Sequence, residues 1–392
     1  MKVICDRPAL LDAMLLISGV AASRTSRPQL QCVKLVAESE GGAGELILAA
    51  TDAEMSLVIR LGRVDVQKPG AALVMADKLL SIIRAEENDP TLTIETKGEL
   101  CHIRGTDAHF QLHGYDPAEA PPIPDFQAIA QGAGGQRPAK TIFAQRAGSL
   151  VSLINRTTFA TARENSRYAI NGVLFKRAGK KLELVATDGR RLALARGTLV
   201  DDAASDGPVS CIIPTKALSM LSKLAEDPEE PINVAITDNQ AVFAFGPLDD
   251  QSRAVLATQL VEGTFPPYED VIPKDLDIKI GLDRDVLSSA VKRAALLTNE
   301  ESRGVRMTFK HADRQVELSS RAPEVGEACV TVDVSSFEGT DIEIGFNPGF
   351  LVDALKVIEQ PEVILELKGP NKPGLFRSGS EFVYVVMPVT LG

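Results

Sequence analysis

The chain has 392 residues, of which 44% are hydrophobic, 24% charged and 5% aromatic, with no Trp. Such a length suits two or three domains, and these proportions exclude disorder or a fibrous repeat as the main state. With 42 basic and 53 acidic residues the net charge is -11, which excludes wrapping nucleic acid with the whole surface but leaves room for one basic face.

No apolar run approaches the roughly 18 residues that span a bilayer, and Ala71–Ala76 is strand-sized. The opening Met1-Lys2-Val3-Ile4-Cys5-Asp6 meets an acid before any signal-type apolar region, so a soluble, cytoplasmic protein without a membrane partner is expected. Cys5, Cys32, Cys101, Cys211 and Cys329 are odd in number and widely spread, which argues against a disulfide framework and a zinc ribbon.

Taken in chain order, the same pattern recurs three times. The apolar pairs Leu10-Leu11, Leu150-Val151 and Val286-Leu287 sit on helical patterns, 17 and 16 residues before Arg27, Arg167 and Arg303, each the Arg of a Ser-Arg pair. A strand-like run follows each: Cys32–Val36, Gly172–Phe175 and Val305–Phe309. Ala50-Thr51-Asp52 and Ala186-Thr187-Asp188 then repeat, with Ser319-Ser320 in the third unit. A second helix is predicted to open behind Asp77, Thr215 and Asn347, and Ile232–Ile236 with Ala241–Phe245 reads as a hairpin. The predicted class is α+β: repeated domains at 1–126, 140–266 and 267–392, with 127–139 a flexible Gly-rich linker.

Residues 1–126 hold 12 basic and 18 acidic groups, 127–273 hold 16 of each, and 274–392 hold 14 and 19. Several predicted helices escape the acidic excess: Arg146 and Arg156 accompany one, Lys216 and Lys223 another, and Lys292 and Arg293 a third. If equivalent helices share a surface, these cations could follow a phosphate backbone.

No phosphate loop, nucleophile elbow, H-E-x-x-H helix or EF-hand loop occurs, so no nucleotide or metal cofactor is expected. The best metal candidate is Cys101 with His102, His109 and His113, which keeps a metal-dependent hydrolase as the rival function. Asp52 with Glu54 is a weak carboxylate pair, and nothing supplies both a nucleophile and a base.

Beyond these patterns, the chain resembles the bacterial sliding clamp family, the beta subunit of DNA polymerase III. The likeness rests on Ser166–Gly172, Ala186–Ala193, Gly263–Tyr268, Arg293–Glu300 with Arg303–Arg306, and Tyr384–Pro388, in family order along the whole chain. It implies a head-to-tail dimeric ring with helices lining the hole and antiparallel sheets outside, the closed contact leaving no free edge. It also implies a processivity role without catalysis, partnered by sequence-independent duplex DNA, the DNA polymerase III catalytic subunit, a clamp loader and other proteins carrying clamp-binding motifs.

By matched position, the resemblance assigns a peptide pocket to Arg167, Ile170, Thr187, Gly189, Arg191 and Leu192, completed by Pro266, Val271, Val385, Val386, Met387 and Pro388. A flexible Met in an apolar groove suits short hydrophobic motifs. Arg24, Arg163 and Tyr168 match family positions that touch DNA; Phe110, Leu112, Leu296 and Leu297 match its dimer contact. Asp270 and the ending Val389-Thr390-Leu391-Gly392 depart from the family pattern, which bears on partner affinity.

Overall fold

A computed structural model describes residues 1–40, 43–132, 138–162, 168–200, 207–247, 252–298, 304–323 and 325–390. Arg163, Arg167, the whole 133–137 part of the Gly-rich stretch, residues 299–303 and the last two residues therefore lie outside the described residues.

The chain divides into two compact units. Unit 1 comprises Met1–Val151, Leu199–Gly207 and Lys216–Leu260; unit 2 comprises Ser152–Thr198, Pro208–Thr215 and Val261–Gly392. Among the described residues there are seven α-helices: α1 (Arg7–Ser18), α2 (Ala76–Ala85), α3 (Phe126–Gln131), α4 (Ala147–Thr158), α5 (Thr215–Leu224), α6 (Arg284–Ala294) and α7 (Pro348–Val357). None is long and apolar enough to cross a membrane.

Helix boundaries follow from short polar caps. The Asp6 carboxylate accepts the Ala9 N–H, Asp283 accepts those of Asp285 and Val286, and Asn347 accepts that of Gly349. The expected cap at Asp77 lies two residues too late: Met75 occupies the cap position, and Asp77 stands in the first turn, where its charge favours the helix dipole. Helix α5 likewise starts at Thr215 itself. On α1 the buried Leu10, Ala13, Met14 and Ile17 follow the 3.6-residue period that the sequence shows.

The segment from 127 onward is not wholly linker. Helix α3, capped by Asp125 and closed by Gly132 at φ 72°, packs Phe126 and Ile129 against Ala235, Val242, Ala244 and Ala257. Composition misjudged it because two buried apolar residues outweigh a glycine-rich neighbourhood.

Among the described residues all strand pairing is antiparallel. Unit 1 holds a five-stranded sheet in the order Val64–Lys68, Lys2–Asp6, Thr91–Lys97, Leu100–Arg104, His109–His113. Its eight-stranded sheet runs Thr141–Arg146, Pro231–Ile236, Gln240–Phe245, Ala254–Gln259, Met55–Leu61, Ala43–Thr51, Cys32–Glu40, Gly70–Met75. Unit 2 holds a nine-stranded sheet that includes Lys181–Thr187, Arg191–Thr198, Phe382–Val386 and Gly374–Ser378 as consecutive neighbours. Its four-stranded sheet runs Gly326–Asp333, Gln315–Ala322, Val305–Lys310, Ile342–Phe346.

Two joints matter for the site. Ala254–Gln259, late in the middle repeat, pairs with Met55–Leu61 of the first; Phe382–Val386, late in the third, pairs with Arg191–Thr198 of the middle one. Each closing strand covers an edge that would otherwise be bare, and it carries the sheet across a repeat boundary.

Candidate functional site

In unit 2 the strands Lys181–Thr187 and Arg191–Thr198 are joined by a turn that the sequence Thr187-Asp188-Gly189-Arg190-Arg191 closes on itself. The Thr187 hydroxyl donates to the Arg191 carbonyl (2.7 Å) and accepts the Gly189 N–H (3.1 Å). Asp188 Oδ1 accepts the N–H groups of Arg190 (2.9 Å) and Arg191 (3.0 Å). Gly189 sits at φ 84°, where a side chain is penalised. Short Thr and Asp side chains thus replace a ladder and leave the turn open on one side.

Beside this turn lies a cavity of about 180 Å³. Ile170, Thr187, Gly189, Arg191, Leu192, Pro266, Val271, Val385 and Met387 line it, joined by Tyr168, Arg190 and Tyr268. Its floor is the core cluster of Leu174, Val185, Leu192, Leu194, Ile212, Val383 and Val385. Val271 and Met387 remain 47% and 41% exposed at the mouth, an unusual amount of open apolar surface for such residues.

Arg191 is the pivot of that wall. Its guanidinium donates to Asp188 Oδ2 (3.0 Å), Asp353 Oδ2 (2.9 Å) and the Phe159 carbonyl (2.7 Å). It also lies 4.4 Å from the Phe350 ring centroid and 5.5 Å from that of Phe159. Burial opposes its charge, but the Asp353 and Asp188 contacts outweigh it and hold the guanidinium above its ordinary pKa. Tyr268, on the opposite wall, is pushed up to about 12 by burial and the neighbouring Glu183 carboxylate. Its hydroxyl is 3.4 Å from Glu183 and 3.5 Å from Lys176, so its ring faces the cavity in a fixed orientation.

Nine of the twelve residues matched to a pocket are therefore gathered at one place. Arg167 lies outside the described residues. Val386 is fully buried and pairs with Arg191 across the ladder, and Pro388 lies beyond the lining. Strand alternation explains Val386: successive side chains face opposite ways, so Val385 and Met387 share the cavity face and Val386 points from it. Tyr168, Arg190 and Tyr268 complete the lining; all three stand inside the motifs that carry the resemblance, which gives Tyr168 to DNA and leaves Arg190 and Tyr268 without a role.

The candidate cations differ in their surroundings. Arg24, Lys223, Lys292 and Arg293 are exposed, and Tyr168 is 46% exposed. Arg146 ends a strand rather than opening a helix, and it pairs with Glu229. Lys216 reaches Asp52 at 2.5 Å. Arg156 is largely covered, with Glu359 at 3.2 Å and Glu381 at 3.8 Å.

Two of the edge strands carry the residues matched to the dimer contact or lie against them. His109–His113 ends the five-stranded sheet with Phe110 and Leu112 half-buried on one face; Gly326–Asp333 ends the four-stranded sheet. Leu297 lies against Gly326, and Leu296 is 77% exposed.

The histidines do not gather a metal site. His102 Nδ1 and His109 Nε2 stand 3.0 Å apart, while Cys101 faces the core with its thiol pushed up to about 12 by burial. Among the described residues no group of three His, Cys, Asp or Glu side chains could hold a metal ion.

The chain matches the DNA polymerase III beta subunit along almost its whole length: the N-terminal domain over residues 1–124, the central domain over 146–267 and the C-terminal domain over 269–390. It is 30% identical over 393 residues to the beta sliding clamp of Escherichia coli strain K12, covering 100% of both chains. The solved DNA polymerase sliding clamp of Bacillus subtilis superposes with a TM-score of 0.88 at 27% identity, covering 100% of both chains. A Pseudomonas aeruginosa sliding clamp solved bound to griselimycin gives a TM-score of 0.88 at 30% identity over the same full coverage. With the repeats, the sheets and these likenesses together, the chain belongs to the DNA polymerase III beta subunit family, the bacterial beta sliding clamps.

Proposed function

We propose that two copies of this chain close head to tail around duplex DNA and hold a replicative polymerase through the unit 2 cavity. Membership of the family makes the chain a processivity factor, an accessory subunit rather than a catalyst. The observation that carries the tethering role is the apolar cavity beside the Thr187–Arg191 turn, with exposed Val271 and Met387 at its mouth. A groove of this kind takes the hydrophobic side chains of a short extended segment, and an unbranched Met adapts to segments of different sequence. Clamp-loader and polymerase segments would compete there.

Ring closure is supported by two of the sheet edges, those beside the residues matched to the dimer contact. Pairing the His109–His113 edge of one copy with the Gly326–Asp333 edge of the other would bury both, with Phe110, Leu112, Leu296 and Leu297 at the seam. Loose contacts from Arg24, Lys223, Lys292 and Arg293 to phosphates would then permit sliding, since topology holds the ring in place, with Lys216 contributing less because Asp52 already pairs with it. Arg146 and Arg156, already paired with carboxylates, would contribute less.

The decisive measurement is retention on DNA loaded by a clamp loader. The protein should remain on closed circular duplex and leave once that duplex is cut. Equal retention on both forms would replace encirclement by ordinary adhesion.

A further inference from the structure

Unit 1 contains a second cavity, of about 440 Å³, built on the same plan. Its turn, Thr51-Ala53-Met55, repeats the bonding of the unit 2 turn. The Thr51 hydroxyl donates to the Met55 carbonyl (2.9 Å) and accepts the Ala53 N–H (3.0 Å), and Asp52 Oδ1 accepts the N–H groups of Glu54 (3.0 Å) and Met55 (2.7 Å). Ala53 sits at φ 78°, where Gly189 sits at 84°.

The closing strand is equivalent too. Thr258 and Ala257 pair with Met55 and Ser56 as Val386 and Val385 pair with Arg191 and Leu192. Past the ladder, the Gln259 N–H donates to the Glu54 carbonyl (2.8 Å) just as the Met387 N–H donates to that of Arg190 (2.9 Å). The turn and the closing strand of the two cavities therefore correspond position by position, and along these elements the differences are differences of side chain.

Those differences share one direction. Where unit 2 presents Leu192, Val385 and Met387, unit 1 presents Ser56, Ala257 and Gln259. The rim charge inverts, from Arg190 to Glu54. The charged residues lining the unit 2 cavity are Arg190 and Arg191, whereas unit 1 offers Glu54 and Glu119 against Arg27. The nearby Asp52 is already answered by Lys216. Gln259 Nε2 donates to the Ala53 carbonyl (3.0 Å), which leaves its amide oxygen as an acceptor beside the turn. Leu30, Pro121, Pro122 and Pro124 keep part of the lining apolar, but at the turn and closing strand a Leu or Phe would desolvate Glu54 and Gln259 without replacing their hydrogen bonds.

We propose that the unit 1 cavity is a second peptide-binding site, selecting a short extended segment that carries a Lys or Arg side chain toward Glu54. The peptide class rests on the proposed role of the unit 2 cavity; the basic side chain rests on the inverted rim charge. A partner could thus be held at two places on one chain through motifs that do not compete.

The probe is a set of fluorescein-labelled hexapeptide pools with a central residue fixed as Lys or Arg, as Leu, or as Asp, titrated with the full chain by fluorescence anisotropy. The Lys/Arg pool should bind in preference to the Asp pool. Glu54→Arg, at an exposed position, should weaken it about tenfold, and Gln259→Trp should fill the cavity and abolish it, both leaving the Leu pool unchanged. Equal binding of the Asp pool, or Lys/Arg binding untouched by both variants, overturns the proposal. Met387→Arg reports separately on unit 2: loss of the Leu pool there, with the Lys/Arg pool retained, keeps the two readings apart.

Discussion

The two turns, Thr51–Met55 in unit 1 and Thr187–Arg191 in unit 2, share every backbone hydrogen bond but are anchored by opposite physics. Met55 is 3% exposed and holds its turn by burial alone. Arg191 stands at the equivalent position and holds its turn by charge, through Asp188, Asp353 and two aromatic rings. One backbone design thus tolerates either a dispersion anchor or an ionic one, provided Thr and Asp close the turn. The difference also decides what the neighbouring cavity can be, because Arg191 props open a wall that Met55 leaves to polar groups.

The sharpest way to break this comparison is to give unit 2 the anchor of unit 1. Arg191→Met removes the guanidinium from Asp188 Oδ2, leaves Asp353 only Lys356 at 3.9 Å and deprives the Phe159 carbonyl of its donor, so it should cost about 3 kcal/mol locally. Hydrogen exchange at the amides of Arg191–Thr198 should accelerate roughly a hundredfold. Met55→Ala should cost about 2–4 kcal/mol by leaving a void, and its cost should not change with salt. An Arg191→Met variant with native exchange would mean that the ionic contacts follow from the turn and do not hold it.

A smaller effect tests the shared part. Thr187→Val and Thr51→Val keep the shape but remove the hydroxyl that serves a carbonyl and an N–H in each turn. Each should cost about 1–2 kcal/mol. Thr51 should be the more sensitive, because Ser56 Oγ also donates to its hydroxyl at 2.8 Å. Equal protection of both turns after substitution, read by exchange at Gly189 and Ala53, would show that Asp188 and Asp52 suffice.

The turns explain how much of this molecule was legible in its sequence. The repeated Ala-Thr-Asp announces both of them, since Thr and Asp close turns through their own side chains. Helix faces were readable at Leu10, Ala13, Met14 and Ile17, and the hairpin at Pro231–Ile236 and Gln240–Phe245 follows its alternating run. Helix α3 was not, because a six-residue helix has too few periods to stand out from glycine-rich surroundings. The pocket residues were recovered by resemblance rather than by pattern: Thr187 and Met387 are 200 positions apart, and only strand pairing brings them together. The unit 1 cavity escaped because its mixed lining of prolines and polar side chains reads as ordinary surface, and the kinship of its turn to unit 2 becomes visible once the ladders fix the register. The ion pairs of Arg146 and Arg156 escaped for the same reason, as their acids lie far along the chain.

The finest contrast lies at a single backbone angle. Gly189 and Ala53 occupy the same left-handed conformation, and nothing lies within 4 Å of a Cβ built on Gly189, so space does not separate them. Only the intrinsic cost of a side chain at positive φ remains. Gly189→Ala should therefore destabilise unit 2 by about 1 kcal/mol, while Ala53→Gly should stabilise unit 1 by about 0.5–1 kcal/mol as strain relief exceeds the added freedom of the unfolded chain. Opposite shifts in protection of the two turns would confirm that they are one design in two chemical settings. Should Ala53→Gly instead loosen its turn, the unit 1 conformation is held by the Gln259 contact to the Ala53 carbonyl, and its likeness to unit 2 stops at the hydrogen bonds.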